Sequence, residues 1–156
     1  MSKTPDNLNP ESWHRFFAIS ANNTAWSMSE SLEEVLENTE LLDAAHASAW
    51  HWRVVGSTLN QMRSIMLLAL IHARMNMGPS AWNYAEKMKK YFIENIETPD
   101  WELAFTYAIH SMAAHADGKI DEYKASYQKA ASCLEAIKDP EDRAVVMKTF
   151  LLLPKW

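Results

Sequence analysis

Ala113-Ala114-His115-Ala116-Asp117-Gly118, followed by Lys119-Ile120-Asp121-Glu122-Tyr123, joins the end of one helix to the start of the next. Upstream, Trp101, Phe105, Ile109 and Met112 recur at helical spacing; downstream, Tyr123, Tyr127, Ala130, Leu134 and Ile137 give the clearest periodicity in the chain. Steps of three and four place these side chains on one face of an α-helix. Asp117-Gly118 supplies the stop, because glycine enters the left-handed conformation that ends helices without steric cost. The same grammar recurs on either side. Ser57-Thr58 (after Gly56), Thr98-Pro99-Asp100 and Asp139-Pro140-Glu141 each open a helix at forty-one-residue steps (57 to 98, 98 to 139), with Gly78 and Gly118 at matching places between them. Each interval reads as helix, glycine turn, helix and fresh N-cap. A period within about 20–50 residues marks stacked helical hairpins, which bury their apolar faces only against neighbours.

The remaining segments extend this pattern. Asn9-Pro10-Glu11 is an N-cap, an N1 proline and a first-turn acid, followed by Trp13, Phe16, Phe17 and Ser20 at helical spacing. Asn22-Asn23-Thr24 weakens the end of that helix, and a turn is expected near residue 29. Ser31-Leu32-Glu33-Glu34 is a capping box opening a second helix with Leu32, Val35, Leu36, Leu42, Ala49 and Trp52, until Gly56. The third, from Ser57, is apolar nearly all round (Leu59, Met62, Ile65, Met66, Leu68, Ala69, Leu70, Ala73) and is expected to be the central, most buried helix. Gly78-Pro79 opens a fourth with Ala81, Ala85, Met88 and Phe92 inward; a seventh runs from Pro140 and ends before Pro154. No stretch alternates as a strand would. The expected fold is all-α: about seven antiparallel helices stacked as hairpins in a right-handed superhelix, with residues 1–9 flexible and 10–156 one domain.

Composition excludes several functions. The chain has 156 residues, a net charge of −5 and 48% apolar residues, the profile of a folded globule. Its bases are dispersed, with Lys87, Lys89 and Lys90 the only cluster, so no nucleic-acid footprint is present. Lone Cys133 allows no internal disulfide framework and reads as a small core residue. Met1-Ser2-Lys3-Thr4-Pro5-Asp6 lacks the apolar run of a signal peptide, and Ile65 to Ile71 is too short to span a bilayer. A cytoplasmic protein without a membrane anchor is expected.

The alanine-rich Ala113–Gly118 segment followed by Tyr123, Tyr127 and Ala130 resembles tetratricopeptide-type proteins. That family repeats at about 34 residues, whereas these units are longer and lack a glycine within their first helices. A second resemblance lies in His46-Ala47-Ser48-Ala49-Trp50-His51-Trp52 with Val55-Gly56, and in Asp100 to Tyr107 with Ala114-His115-Ala116. These segments are similar to a group of uncharacterised bacterial helical-repeat proteins, over roughly residues 40 to 145. The resemblance implies the fold and carries no activity.

For chemistry, the chain offers few patterns. His46 and His51, and again His110 and His115, are five apart and diverge on a straight helix. No HExxH, paired CxxC or EF-hand loop is present. Glu11-x-x-His14 and Asp43-x-x-His46 have the acid–histidine spacing of di-iron bundles, but two further carboxylates would have to join them, and no metal or cofactor is assigned. His72 and His115 are accounted for by the helix dipole, and the Met62, Met66, Met75, Met77 and Met88 stripe as adaptable core. The candidate ligand residues are His46, Trp50, His51 and Arg63, at the corner between the second and third helices, with Arg53 on the face of His46 and Trp50. A guanidinium beside tryptophan suits a carboxylate or phosphate. Two functions follow: a scaffold presenting a groove to a protein or peptide partner, which is favoured, and a receptor for a small anionic ligand, or an unassigned enzyme, at that corner. The pattern favours binding over catalysis and leaves homo-oligomerisation open.

Overall fold

The structure, a computed structural model, describes residues 3–6, 9–30 and 38–155. These form α1 (Pro10–Ser29), α2 (Thr39–Val55), α3 (Thr58–Arg74), α4 (Gly78–Glu94), α5 (Asp100–Ala116), α6 (Ile120–Ala136) and α7 (Pro140–Phe150), with no strand among the described residues. No helix among them is long and apolar enough to cross a membrane. The capping box at Ser31 and the apolar residues Leu32, Val35 and Leu36 lie outside the described residues. Asn22-Asn23-Thr24 lies inside α1 rather than ending it.

Capping explains most helix starts. The side chains of Asn9, Asn38 and Asp139 accept backbone N–H groups at the heads of α1, α2 and α7, and Ser57 and Asn60 form a reciprocal box on α3. Thr98 does something else. Its hydroxyl donates to the Phe92 carbonyl at 2.8 Å, closing the end of α4, while Pro99 is the residue that precedes α5.

The repeat is sharper than its caps suggest. Helices α3 and α5 begin at Thr58 and Asp100, and α4 and α6 at Gly78 and Ile120, so both pairs are offset by 42 residues (100 − 58, 120 − 78). The turns correspond at the same offset. Asn76 (φ 57°) and Gly118 (φ 72°) are the left-handed residues, and after each a backbone N–H reaches back at 2.8 Å, Met77 to the His72 carbonyl and Lys119 to the Ala114 carbonyl. The structural counterpart of Gly118 is therefore Asn76, a residue that tolerates this conformation. Gly78 has a different role: a Cβ there would fall against the Ala116 carbonyl oxygen and, at 2.8 Å, the Asp117 Cα.

The helices divide into two layers. Within the inner layer α1 packs on α3, α3 on α5, and α5 on α7; in the outer layer α2 and α4 do not meet, nor do α4 and α6. Leu70 (0% exposed) and Phe105 (7%) are core, and Tyr127 packs partly buried against it. Helix α5 is more enclosed than α3, with eleven buried residues of seventeen against nine, because it lies between α4 and α6 and also meets α3 and α7. The methionine stripe divides accordingly: Met66 and Met88 are buried, Met62 and Met75 partly so, and Met77 is exposed.

Gly78→Ala should destabilise the protein by about 1–3 kcal/mol in urea titration, since backbone rather than a flexible side chain blocks the new methyl. An unchanged midpoint would show that α4 and α5 can separate there without cost.

Candidate functional site

The four candidate residues do not converge. His46 and Trp50 line one cavity, Arg63 lines another, and His51 belongs to neither. The reason is helical phase: one step past Trp50 turns His51 toward α1, where its Nδ1 lies 2.8 Å from His14 Nδ1 and its ring 5.5 Å from Phe17. One imidazole of this pair donates and the other accepts. Burial, and secondarily His14, push the His51 pKa down and favour its neutral form. His14 thus meets His51 rather than His46, and no group of three or more metal-ligating side chains occurs among the described residues.

Arg63 points inward. Its Nε and Nη2 donate to the two carboxylate oxygens of Glu102 at 2.6 and 3.1 Å, and its guanidinium lies 5.4 Å from the Trp101 ring centre. The Glu102 side chain is only 2% exposed and that of Arg63 42%, so the pair is buried at its acidic end and open at its basic end. The hydrogen bond with Glu102 raises the arginine pKa further above its usual value. The pair forms part of an inner cleft of about 510 Å³ among α1, α3, α5 and α7. Trp26 and Phe105 stand 5.6 Å apart on its wall, Trp101 stands edge-on to Phe105, and Asn22, Asn23 and Ser27 supply polar groups. Lys148 reaches Glu30 at 3.6 Å, drawing the last helix toward the first.

The second cavity, about 410 Å³, lies on the outer side between α2 and α4. His46, Trp50 and Arg53 line it from α2, Tyr84 and Lys87 from α4, and Gln61 and Ser64 from α3. The His46 ring stands edge-on to His72 at 5.3 Å, and His72 lies 5.1 Å from Tyr84. His72 is itself buried, with Nδ1–H donating to the Leu68 carbonyl at 2.8 Å; burial lowers its pKa, so the helix-dipole account, which needs an imidazolium, does not apply.

One polar group has no signature in the sequence. His110, fully buried, joins three helices: Nε2–H donates to Glu86 Oε1 at 2.7 Å and Nδ1 accepts from the Ser126 hydroxyl at 2.8 Å. The tautomer follows from the carboxylate, which can only accept. Lys89 Nζ stands 3.7 Å from the same Glu86 oxygen, and Trp82 covers the imidazole at 4.8 Å. Serine, histidine and carboxylate in sequence suggest a hydrolase relay, but Ser126 is 4% exposed and its hydroxyl has no approach for a substrate. The chain ties α4, α5 and α6 together. Cys133 is half-buried near Tyr107, and burial raises its thiol pKa against the opposing pull of Lys129, as suits an unreactive packing residue.

No model of a known protein family matches the chain, and neither a curated protein nor a solved structure matches it.

Arg63→Ala leaves the Glu102 carboxylate buried without its partner. It should cost about 1–3 kcal/mol, less than a fully enclosed pair because the arginine is half in water, and adding Glu102→Gln should recover part of the loss. Chemical denaturation of both variants checks this; an unchanged Arg63→Ala midpoint would mean water replaces the guanidinium. The buried His110 imidazole resists protonation, chiefly through desolvation and secondarily through Lys89, while the Glu86 hydrogen bond opposes the shift. The unfolded chain takes up that proton near 6.5, so stability is full above this pH and declines as pH falls toward the lower folded pKa. His110→Gln should flatten part of the decline in urea midpoint between about pH 7 and pH 5, and an unaltered slope would assign the decline to other groups.

Proposed function

We propose that the protein is a helical-repeat binding module, tetratricopeptide-like in plan, that holds a peptide segment of a partner protein in the inner cleft. The observation that carries this reading is the grouping of Trp26, Trp101 and Phe105 around the Arg63–Glu102 pair in a cleft lined by inner-layer helices. Tryptophan and arginine in partly desolvated pockets are the residue types that anchor protein partners. The arginine charge is already answered by Glu102, so a small anion gains little here. An uncharged, bulky apolar side chain gains about 1.5–3 kcal/mol by entering such an aromatic wall. Asn22, Asn23 and Ser27 at the margin are suited to the backbone N–H and C=O groups of an extended segment. The single cysteine agrees with a reducing, cytoplasmic setting.

Selection of a random displayed-peptide library on the folded protein tests the reading. Enriched peptides should share a bulky apolar anchor, bind Trp50→Ala like wild type, and bind Trp101→Ala at least about tenfold more weakly. Enrichment that survives Trp101→Ala would move the partner surface elsewhere; no enrichment over background would end the peptide reading.

A further inference from the structure

The outer gaps of the stack are treated differently in the two repeats. Between α4 and α6 the space over α5 is bridged by the chain's own Glu86–His110–Ser126 link. One repeat earlier, at the same 42-residue offset (110 − 68, 126 − 84), stand Leu68 and Tyr84, which cannot make that link and instead line the open cavity between α2 and α4. The two cations of this cavity, Arg53 and Lys87, come from opposite walls, and no carboxylate lines it. Neither cation forms an ion pair among the described residues, although acids outnumber bases in the chain, 20 to 15. Two positive charges lining one concavity, with no carboxylate beside them among the described residues, raise the local potential and favour a bound anion.

The other lining groups extend the match. His46 adds an imidazole donor, and Gln61 and Ser64 are neutral polar groups on the floor. Trp50 is 58% exposed, and Arg53 lies 6.0 Å from its ring centre. Tyr84 stands across the cavity on α4. An indole and a phenol on opposite walls suit a planar ring, and a volume of about 410 Å³ is within the range of small-molecule sites. We propose that the cavity between α2 and α4 binds a small phosphate monoester carrying a planar ring, with Arg53, Lys87 and His46 holding the phosphate and Trp50 and Tyr84 flanking the ring. The site is separate from the inner cleft and does not depend on a peptide partner.

Phenyl phosphate, inorganic phosphate and phenol are the probes. Each is titrated into ¹⁵N-labelled full-length protein, followed at the Trp50 indole N–H, whose resonance is assigned by its loss in Trp50→Phe. Phenyl phosphate should shift this resonance saturably and bind more tightly than either fragment. Lys87→Glu should weaken it by about tenfold or more, while Arg143→Glu, an equal charge change on α7, should leave it within about twofold. Trp50→Ala, read at other shifted amides, should reduce phenyl phosphate to the affinity of inorganic phosphate. The substituted positions are exposed, and circular dichroism verifies that each variant is folded. No saturable shift with any probe, or equal weakening by Arg143→Glu, would overturn the site. Equal binding of phenyl phosphate and inorganic phosphate in the wild type would overturn the ring specificity. Peptide capture by the inner cleft is unaffected by either result.

Discussion

The meeting of the odd-numbered helices across successive hairpins, α1 with α3, α3 with α5 and α5 with α7, governs the rest of this structure. Small side chains are buried along these helices: Ala69 on α3 and Ala104, Ala108 and Ala113 on α5 are fully buried. A methyl group lets helix axes approach nearer than leucine would, and the ridges of one helix then seat in the grooves of the next. Because α1, α3, α5 and α7 meet in succession while α2, α4 and α6 do not, one side of the stack is pinched and the other splayed. The inner cleft and the outer gaps have this common cause.

Burying so much of α5 has a polar cost, since Glu102, Thr106, His110 and Ser111 are carried into the interior with the apolar residues. Each finds a partner. Glu102 takes the Arg63 fork, Thr106 donates to the Glu102 carbonyl, Ser111 donates to the Tyr123 carbonyl, and His110 bridges Glu86 and Ser126. Unpaired, groups of this kind would cost about 1–3 kcal/mol each. Three of these four residues bond beyond the helix, so a slip of α5 against α3, α4 or α6 would break several bonds together. Apolar packing alone tolerates such sliding more readily.

Local features of the sequence were read more accurately than distant ones. Helix identity, the starts at Asn9, Ser57 and Asp139, and the turn at Gly118 all follow from interactions within a few residues. The caps alone give a repeat one residue short, because Thr98 has the look of a cap for α5 while its hydroxyl closes α4. Glycine positions alone misalign the turn before α4, whose left-handed residue is Asn76 while a glycine stands two positions later. Gly78 is a glycine because the Ala116 backbone passes over it, a tertiary reason with no local signature. The site followed the same division. Spacing alone puts His46 and Trp50 on one face, and they share a cavity. Arg63 finds Glu102 39 positions away, and His51 finds His14 37 positions away. No periodicity reports such distances, nor does it bring Tyr84 and Lys87 across from α4. Glu102 held one legible clue, a carboxylate one position past Trp101 on a helix whose apolar face needed it inside.

The bridge between Glu30 and Lys148, with the Trp26–Phe105 contact behind it, changes how the molecule should come apart. In an open array each unit touches only the next, and terminal units fray first and independently. Here α1 touches α5 past the intervening helix pair, and its last turn is held toward α7. Loosening α1 therefore removes support from the far end of the stack as well as from α2 and α3. The Trp26–Phe105 contact carries most of this coupling, since the Glu30–Lys148 pair is exposed and α1 and α7 do not otherwise pack together, so unfolding is coupled through α5 as well as along the line of neighbours.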